Sequence, residues 1–422
     1  MIQKLTLYTK KYAIFGMVFS LAKATVYFVP LLLADVLSKS DFGILEYALA
    51  GLGMIVNTLI NLGVPGAYPY FVLKDSQDHL TPTFRLHAIV LIIPLVINQI
   101  LFFGFGLDAS FYLAFNVSYI IANQVFYSTQ LKSHERSTVA VIIDSGIYFF
   151  LLFYYIAYQL KIITSSLELI NKFILAYAII YVFFAIQRYL KHKTEVSFQH
   201  YKTILKFSIH LLISTFLIYL ITSSGRILVE LFFDFESVGI YAFYFRLAAI
   251  VVMIHQVINI AFFKKIYTFE PKILDKYYFL FFIFIFCLSI IIYFIAPFVV
   301  GHFSGYFNET FKEHKAIYFI LSAQMVMWIA SALNSNIIDR ENLASKNNSK
   351  FLVLVVVGAG VLYTIKSSIT LSMLTYVVYS IIFLACMIQY FSLSRKSIYF
   401  QKSALSLAVI YMLTSIYYFI NF

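Results

Sequence analysis

Blocks of 18 or more apolar residues follow one another along most of this chain, the length that crosses a hydrocarbon core of about 30 Å. Inside hydrocarbon every backbone amide must find its partner within the protein, so such blocks form helices. The expected fold is therefore all-α and polytopic. Composition agrees: 62% of the 422 residues are hydrophobic and only 12% are charged, against the roughly 25% that a soluble domain carries. The formal charge of +12 would point to nucleic acid in a soluble domain. In a membrane protein Lys and Arg collect in cytoplasmic loops instead, so no nucleic-acid partner is expected. Cys287 and Cys386 lie inside apolar blocks and read as small hydrophobes, not as a disulfide or metal pair.

Thirteen helices are expected, over residues 12–34, 43–66, 87–106, 110–130, 139–160, 169–190, 204–225, 237–263, 277–300, 315–338, 351–365, 369–392 and 403–421. The first run exceeds a signal-peptide core and has no small-residue cleavage site at a fitting distance, so it counts as a span. With the N-terminus in the cytoplasm, 22 of the 31 Lys and Arg residues fall in cytoplasmic stretches and six in outward loops. The other three, Lys23, Arg226 and Arg246, lie inside or at the edge of spans. A missed or false helix would scramble this alternation downstream. It is not scrambled. A multi-pass protein of a bacterial inner (cytoplasmic) membrane is the expected setting.

Placing Gly43 on Gly239, 196 positions later, brings SDFGILEY (40–47) onto ESVGIYAF (236–243), each opening a helix after an outward loop. The preceding spans match too, 12–34 against 208–230. Both halves later carry a polar inward loop, QLKSHERST at 130–138 and DRENLASKNNSK at 339–350. Because both halves begin in the cytoplasm, the repeat is parallel, about an axis along the membrane normal. The expected domains are an N-lobe at 1–193 with six spans, a C-lobe at 194–393 with six, and an extra apolar segment at 394–422.

Three passages, FVPLLLADVLSKSDFGILEY (28–47), NLGVPGAYPYF (61–71) and SVGIYAFYFRLA (237–248), together resemble the polysaccharide flippases of the MATE-like MOP exporter superfamily. The O-antigen, Wzx-type branch is the most similar, over about residues 1–393. That resemblance implies a V-shaped pair of six-helix lobes around a central cavity that opens alternately inward and outward. It implies a substrate of undecaprenyl diphosphate bearing a short sugar repeat unit, moved to the outer leaflet for O-antigen or capsular polysaccharide synthesis. Implied partners are this lipid-linked oligosaccharide, membrane lipids, and a polysaccharide polymerase and chain-length regulator. The family has twelve or fourteen spans, and the thirteenth here departs from that pattern.

Ionisable groups deep in a bilayer are costly, by at least about 3 kcal/mol, and usually face a cavity or a partner. Lys23 shares a face of the first helix with Gly16 and Pro30, all spaced by sevens. It reads as a contact for a diphosphate or acidic sugar, or as half of an ion pair. Arg246 reads as cavity-facing. His255, nine residues on, points the opposite way with Asn259 on a straight helix and reads as bonded to a neighbouring helix. Arg226 attracts an anionic headgroup or pairs with Glu230. These three cations, Lys23, Arg226 and Arg246, are the substrate-binding candidates. Glu46 and Asp144 are candidates for proton coupling or for ion pairing. Asn57 and Asn61 continue a stripe with Glu46, Ala50 and Gly53 that marks either close helix packing or a wet cavity wall.

No nucleotide-binding loop, H-E-x-x-H motif, metal-spaced Cys/His cluster or nucleophile elbow occurs in the sequence. No catalytic residue, metal or cofactor is therefore expected, and the chain reads as a transporter and not an enzyme. An O-antigen polymerase or ligase, the enzymatic rival, resembles chains with one large Arg-bearing outward loop. Here the outward loops are short and poor in Arg. A MATE-type drug exporter would favour acidic residues in its cavity, whereas Lys23 and Arg246 offset Glu46 and Asp144.

Overall fold

The computed structural model describes residues 2–191, 196–256, 269–341 and 343–422, with side chains from Ile14 onward except Lys74, and all regular structure among them is helical. The chain gathers into two compact units, Met1–Phe216 and Leu217–Phe422. The first contains α1 (Ile2–Ala34), α2 (Lys39–Ala50), α3 (Leu52–Ile60), α4 (Val64–Pro69), α5 (Thr81–Val90), α6 (Ile92–Phe105), α7 (Ala109–Ser133), α8 (Ser137–Asp144), α9 (Gly146–Gln159), α10 (Leu167–Lys191) and most of α11 (Phe198–Thr222). The second contains α12 (Gly225–Phe232), α13 (Phe235–Ala248), α14 (Pro271–Val299), α15 (Gly305–Arg340), α16 (Ala344–Ile365), α17 (Leu371–Ser394) and α18 (Gln401–Asn421).

Every expected span has its helix. Among the described residues eleven are long and apolar enough alone to cross a membrane, and the pair α8–α9, bent by 55°, makes a twelfth if it is one span. The protein is a multi-pass membrane protein. The exception among the thirteen expectations is α7, which does not meet that apolar test because Asn116, Asn123, Gln124 and Gln130 interrupt it. It instead forms the core of the first unit, with 16 of its 25 residues buried, wrapped by α2, α3, α4, α6, α8 and α10. Its polar groups meet protein and not lipid: Asn98 Nδ2 and Gln99 Nε2 of α6 both donate to Asn116 Oδ1 at 2.9 Å.

Local geometry supports the internal repeat. Ser38 caps α2 by accepting from the Asp41 amide (3.0 Å), and Asp234, 196 positions later, caps α13 through the Ser237 amide (2.8 Å). Asp108 caps α7 through Ser110 (2.8 Å), and Ser304, again 196 positions later, caps α15 through Phe307 (3.2 Å). Each cap satisfies an amide that the first turn leaves unpaired. The second span of the first unit breaks at Gly51 between α2 and α3, and its counterpart breaks into a 3-10 turn at Ala249–Val251 before continuing to Gln256. At the first break a Cβ on Gly53 would lie 1.8 Å from the Ala48 carbonyl oxygen and 3.3 Å from that of Ala114 on α7. Gly53 is thus where α3 closes on α7.

The bend between α8 and α9 has a comparable cause. A Cβ on Gly146 would overlap the Tyr177 hydroxyl and come within 2.9 Å of Gln124 Nε2, so glycine admits both side chains. The extra helix α18 is anchored from outside itself. Asp275 of α14, 7% exposed, accepts from the amides of Lys402 (3.1 Å) and Ser403 (2.8 Å) and from Ser403 Oγ (2.6 Å). It supplies the cap that Phe400 at the N-cap position cannot. Tyr376 on Tyr418 (5.0 Å) and Phe383 on Tyr411 (4.2 Å) then stack α17 against α18.

Candidate functional site

In the first unit the structure brings Lys23 and Asp144 together. Lys23, half-buried on α1, stands 5.8 Å over the Phe19 ring and within electrostatic reach of Asp144 and Lys132. Asp144 ends α8 at the bend, pairs with Lys132 Nζ at 3.9 Å and accepts from Ser128 Oγ at 3.3 Å. Phe15, Phe19, Ala22, Val141 and Phe149 form the apolar contact that fixes α1 beside α8 and α9. The three charges alternate in sign, as an ion cluster in a low-dielectric setting requires. Glu46 of α2 is fully buried, with contacts of its own.

Asn57 and Asn61 belong to a second buried group. Asn61 Nδ2 donates to Asn57 Oδ1 at 2.7 Å, His87 Nε2 lies 3.5 Å from Asn61 Oδ1, and His87 Nδ1 lies 2.9 Å from the Tyr201 hydroxyl. The chain links α3, α5 and α11. All four side chains are buried, with His87 wholly so. The sequence gives no reason to single out His87: its ring sits on an ordinary apolar helix, and its partners come from elements far apart in the chain.

Arg226 and Arg246 lie in the second unit, 4% and 5% exposed. The Arg226 guanidinium stacks 4.7 Å from the Phe245 ring. The 3-10 turn at Ala249–Val251 interrupts the helix between Arg246 and His255, so the straight-helix argument that sets them on opposite faces does not hold. His255 packs edge-on against Trp328, 6.4 Å between centroids, and among the described residues neither ring nitrogen has a hydrogen-bond partner, so the expected bond to a neighbouring helix is not found there. Asn259 and the expected helix end at 263 lie outside the described residues.

The structure also reveals a site that sequence reasoning missed. A cavity of about 540 Å³ opens in the first unit where α7 ends and α8 begins. Arg85, Arg136 and Arg188 line it together with His134, Gln130 and Tyr127, and among the described residues no Asp or Glu is in its wall. The Tyr68 hydroxyl, also in the wall, lies 3.0 Å from His134 Nε2. Burial lifts the Tyr68 phenol above its ordinary value, so it remains a neutral hydrogen-bonding group. Arg188 stacks over the rings of Tyr127 (5.3 Å) and Phe184 (5.0 Å). Counted as inward-loop charges, the arginines carried no further signal. A signal existed in the spacing: Tyr127 and Gln130 on α7 and His134 at its C-cap recur at i, i+3, i+7, and Tyr181, Phe184 and Arg188 do the same on α10.

Among the described residues no three His, Cys, Asp or Glu side chains gather as a metal site requires. The sequence family described as "Polysaccharide biosynthesis protein" matches residues 9–263, more than half of the chain. The chain belongs to that family. Its membership bears out the resemblance to polysaccharide exporters carried by residues 28–47, 61–71 and 237–248. No curated protein matches. A solved structure, the inward-facing conformation of a multidrug resistance MATE family transporter of the MOP superfamily, aligns over 96% of this chain and 94% of its own, at 12% identity and a TM-score of 0.30. The helices described above, not that alignment, define the fold. The family and the helices together make this a membrane protein of the exporter type serving polysaccharide biosynthesis.

Proposed function

We propose that the protein is a flippase that carries undecaprenyl-diphosphate-linked oligosaccharide repeat units from the cytoplasmic to the outer leaflet of a bacterial inner membrane. The observation that carries this reading is family membership in a chain built almost wholly of membrane-length helices. A polysaccharide biosynthesis protein with this architecture has its hydrophilic intermediates to move across a bilayer. The N-terminus is cytoplasmic in this reading, residues 1–193 and 194–393 form two lobes that rock in alternating access, and 394–422 is an accessory helix. The product feeds O-antigen or capsular polysaccharide synthesis, beside a polymerase and chain-length regulator.

Lys23, Arg226 and Arg246 contact the anionic headgroup or acidic sugars along the path, with Asp144 holding Lys23 in place between transport events. Glu46 is the remaining candidate for a coupling proton, and Asn57 and Asn61 are polar groups beside the path. A diphosphate with two negative charges moving outward travels down an inside-negative potential. At about 2.3 kcal/mol per charge per 100 mV, this supplies roughly 5 kcal/mol per 100 mV, so ion coupling aids transport without being required.

The test is deletion in the native host, with complementation by wild type, Lys23→Ala and Arg246→Ala. Repeat units trapped on the cytoplasmic leaflet, with surface polymer lost, are the expected outcome, and neither variant restores export at normal protein level. Single repeat units reaching the outer leaflet unpolymerised would instead identify a polymerase.

A further inference from the structure

Residues 342–422 contain six Lys and Arg residues and no Asp or Glu. Two of these cations converge on one ring. Lys350 Nζ, on α16, lies 4.9 Å from the centroid of Phe391, and the guanidinium of Arg395, at the C-cap of α17, lies 4.7 Å from it. Arg395 is also the charge that acts on Lys350, and the two repel. Every Asp and Glu of the second unit is described, and among the described residues neither cation is in an ion pair. Glu341 instead holds Arg340, Asp275 accepts from the start of α18, and no cation acts on Asp339.

Both side chains keep donors for a ligand. Lys350 gives one proton to Ser392 Oγ at 2.8 Å, which leaves two. Arg395 is exposed and rests its face on Phe391, which leaves the N–H edge of its guanidinium for hydrogen bonds. The helix faces around them are laid out as a lipid is. On α16, Lys346, Lys350, Val353 and Val357 share a face at i, i+4, i+7 and i+11, and Leu384, Ile388, Phe391 and Arg395 repeat that spacing on α17. The helices run antiparallel, since Lys350 meets Ser392 while a Cβ on Gly358 would lie 3.1 Å from Ile381 Cδ1. Both faces are therefore charged at the same end and apolar beyond it. Val353, Val357, Leu384 and Phe391 are exposed, as an apolar surface in contact with acyl chains is.

We propose that this α16–α17 face is a binding site for an anionic phospholipid, its phosphodiester between Lys350 and Arg395 and its acyl chains along Val353, Val357 and Leu384. The phosphodiester supplies the counter-charge that the unit's own carboxylates do not. A zwitterionic lipid brings an ammonium to the same two cations, so the site discriminates by charge. It lies within the second unit and shares no residue with the transport candidates, so it does not rest on the transport reading.

The test is native mass spectrometry of the full chain in detergent, titrated with phosphatidylglycerol and, in parallel, with phosphatidylcholine. Wild type binds its first phosphatidylglycerol about tenfold more tightly than its first phosphatidylcholine. Lys350→Gln and Arg395→Gln each lower that preference severalfold, and the double variant loses most of it. Arg395→Lys keeps the charge and retains most of the preference, which a misfolded protein would not. Lys366→Gln, at the opposite end of α16, changes nothing. Equal binding of the two lipids by wild type, or a preference that survives in the double variant, overturns the proposal. Displacement of phosphatidylglycerol by millimolar glycerol phosphate would reveal a site for soluble phosphate and overturn its assignment to a lipid. These readouts do not measure transport, so failure here and failure of the flippase reading are separate results.

Discussion

The polar loops at 130–138 and 339–350 follow the central helix of each unit, α7 and α15, and carry similar charge in sequence, yet the two units treat that charge differently. In the first, Arg136 joins Arg85 and Arg188 around an open cavity. In the second, Arg340 Nε is bound to Glu341 at 2.8 Å and its Nη1 donates to the Phe269 carbonyl at 3.3 Å, while Lys350 donates to Ser392 Oγ at 2.8 Å. Nearby in the same unit, Asp275 stitches the start of α18 to α14. The loop charge of the first unit thus lines a cavity, and that of the second is bound to neighbouring groups. Charge counts cannot tell these apart. The partners can.

The largest expected effect is on the satisfied side. Asp275→Ala removes the acceptor for two amides and a hydroxyl at a 7% exposed position, at a cost of about 3 kcal/mol. Thermal unfolding in detergent falls accordingly, and proteolysis after Arg395 or Lys396 releases α18 before the rest of the chain. Asp275→Asn, which keeps an acceptor, loses less. An α18 as protected in Asp275→Ala as in wild type would break this side of the comparison.

Gly53→Ala tests how the two halves make the same break. Its Cβ would fall 1.8 Å from a backbone carbonyl, so the backbone must shift, and the expected cost is about 2–3 kcal/mol. The counterpart change in the other half, Ala249→Gly, meets no such contact and costs about 1 kcal/mol or less. Equal losses in a thermal denaturation series would mean that the break at Gly51 is not set by that glycine. Smallest is Glu341→Gln, which frees Arg340 from a partly exposed pair, with side chains 16% and 30% exposed, for about 1 kcal/mol or less. A loss in thermal denaturation as large as that of Gly53→Ala would blur the distinction.

Much of the helical plan was legible because bilayer length is a one-dimensional signal, and the helices it marks are present in the structure. The offset of 196 was equally legible, and the caps at Ser38, Asp108, Asp234 and Ser304 follow it. The site was less so. Nothing in the sequence tells whether Lys23 meets Glu46 or Asp144, since that depends on which helix packs beside α1. The polar character of α7 could be read, but its place at the centre of a unit could not. Arg85, Arg136 and Arg188 come from three separate elements, and only folding brings them to one space. His255 failed for the same reason, because the 3-10 turn before it resets the face on which it points.

The central claim is most directly tested by reconstitution. Purified protein would be placed in vesicles loaded with a fluorescent diphosphate-linked oligosaccharide lipid, and the labelled headgroup exposed on the opposite leaflet would be followed over time. The account predicts exposure that depends on the protein, quickens when the potential drives anions outward, and falls at least tenfold in Lys23→Ala and Arg246→Ala. Exposure no faster than in protein-free vesicles, with the protein folded, would contradict it.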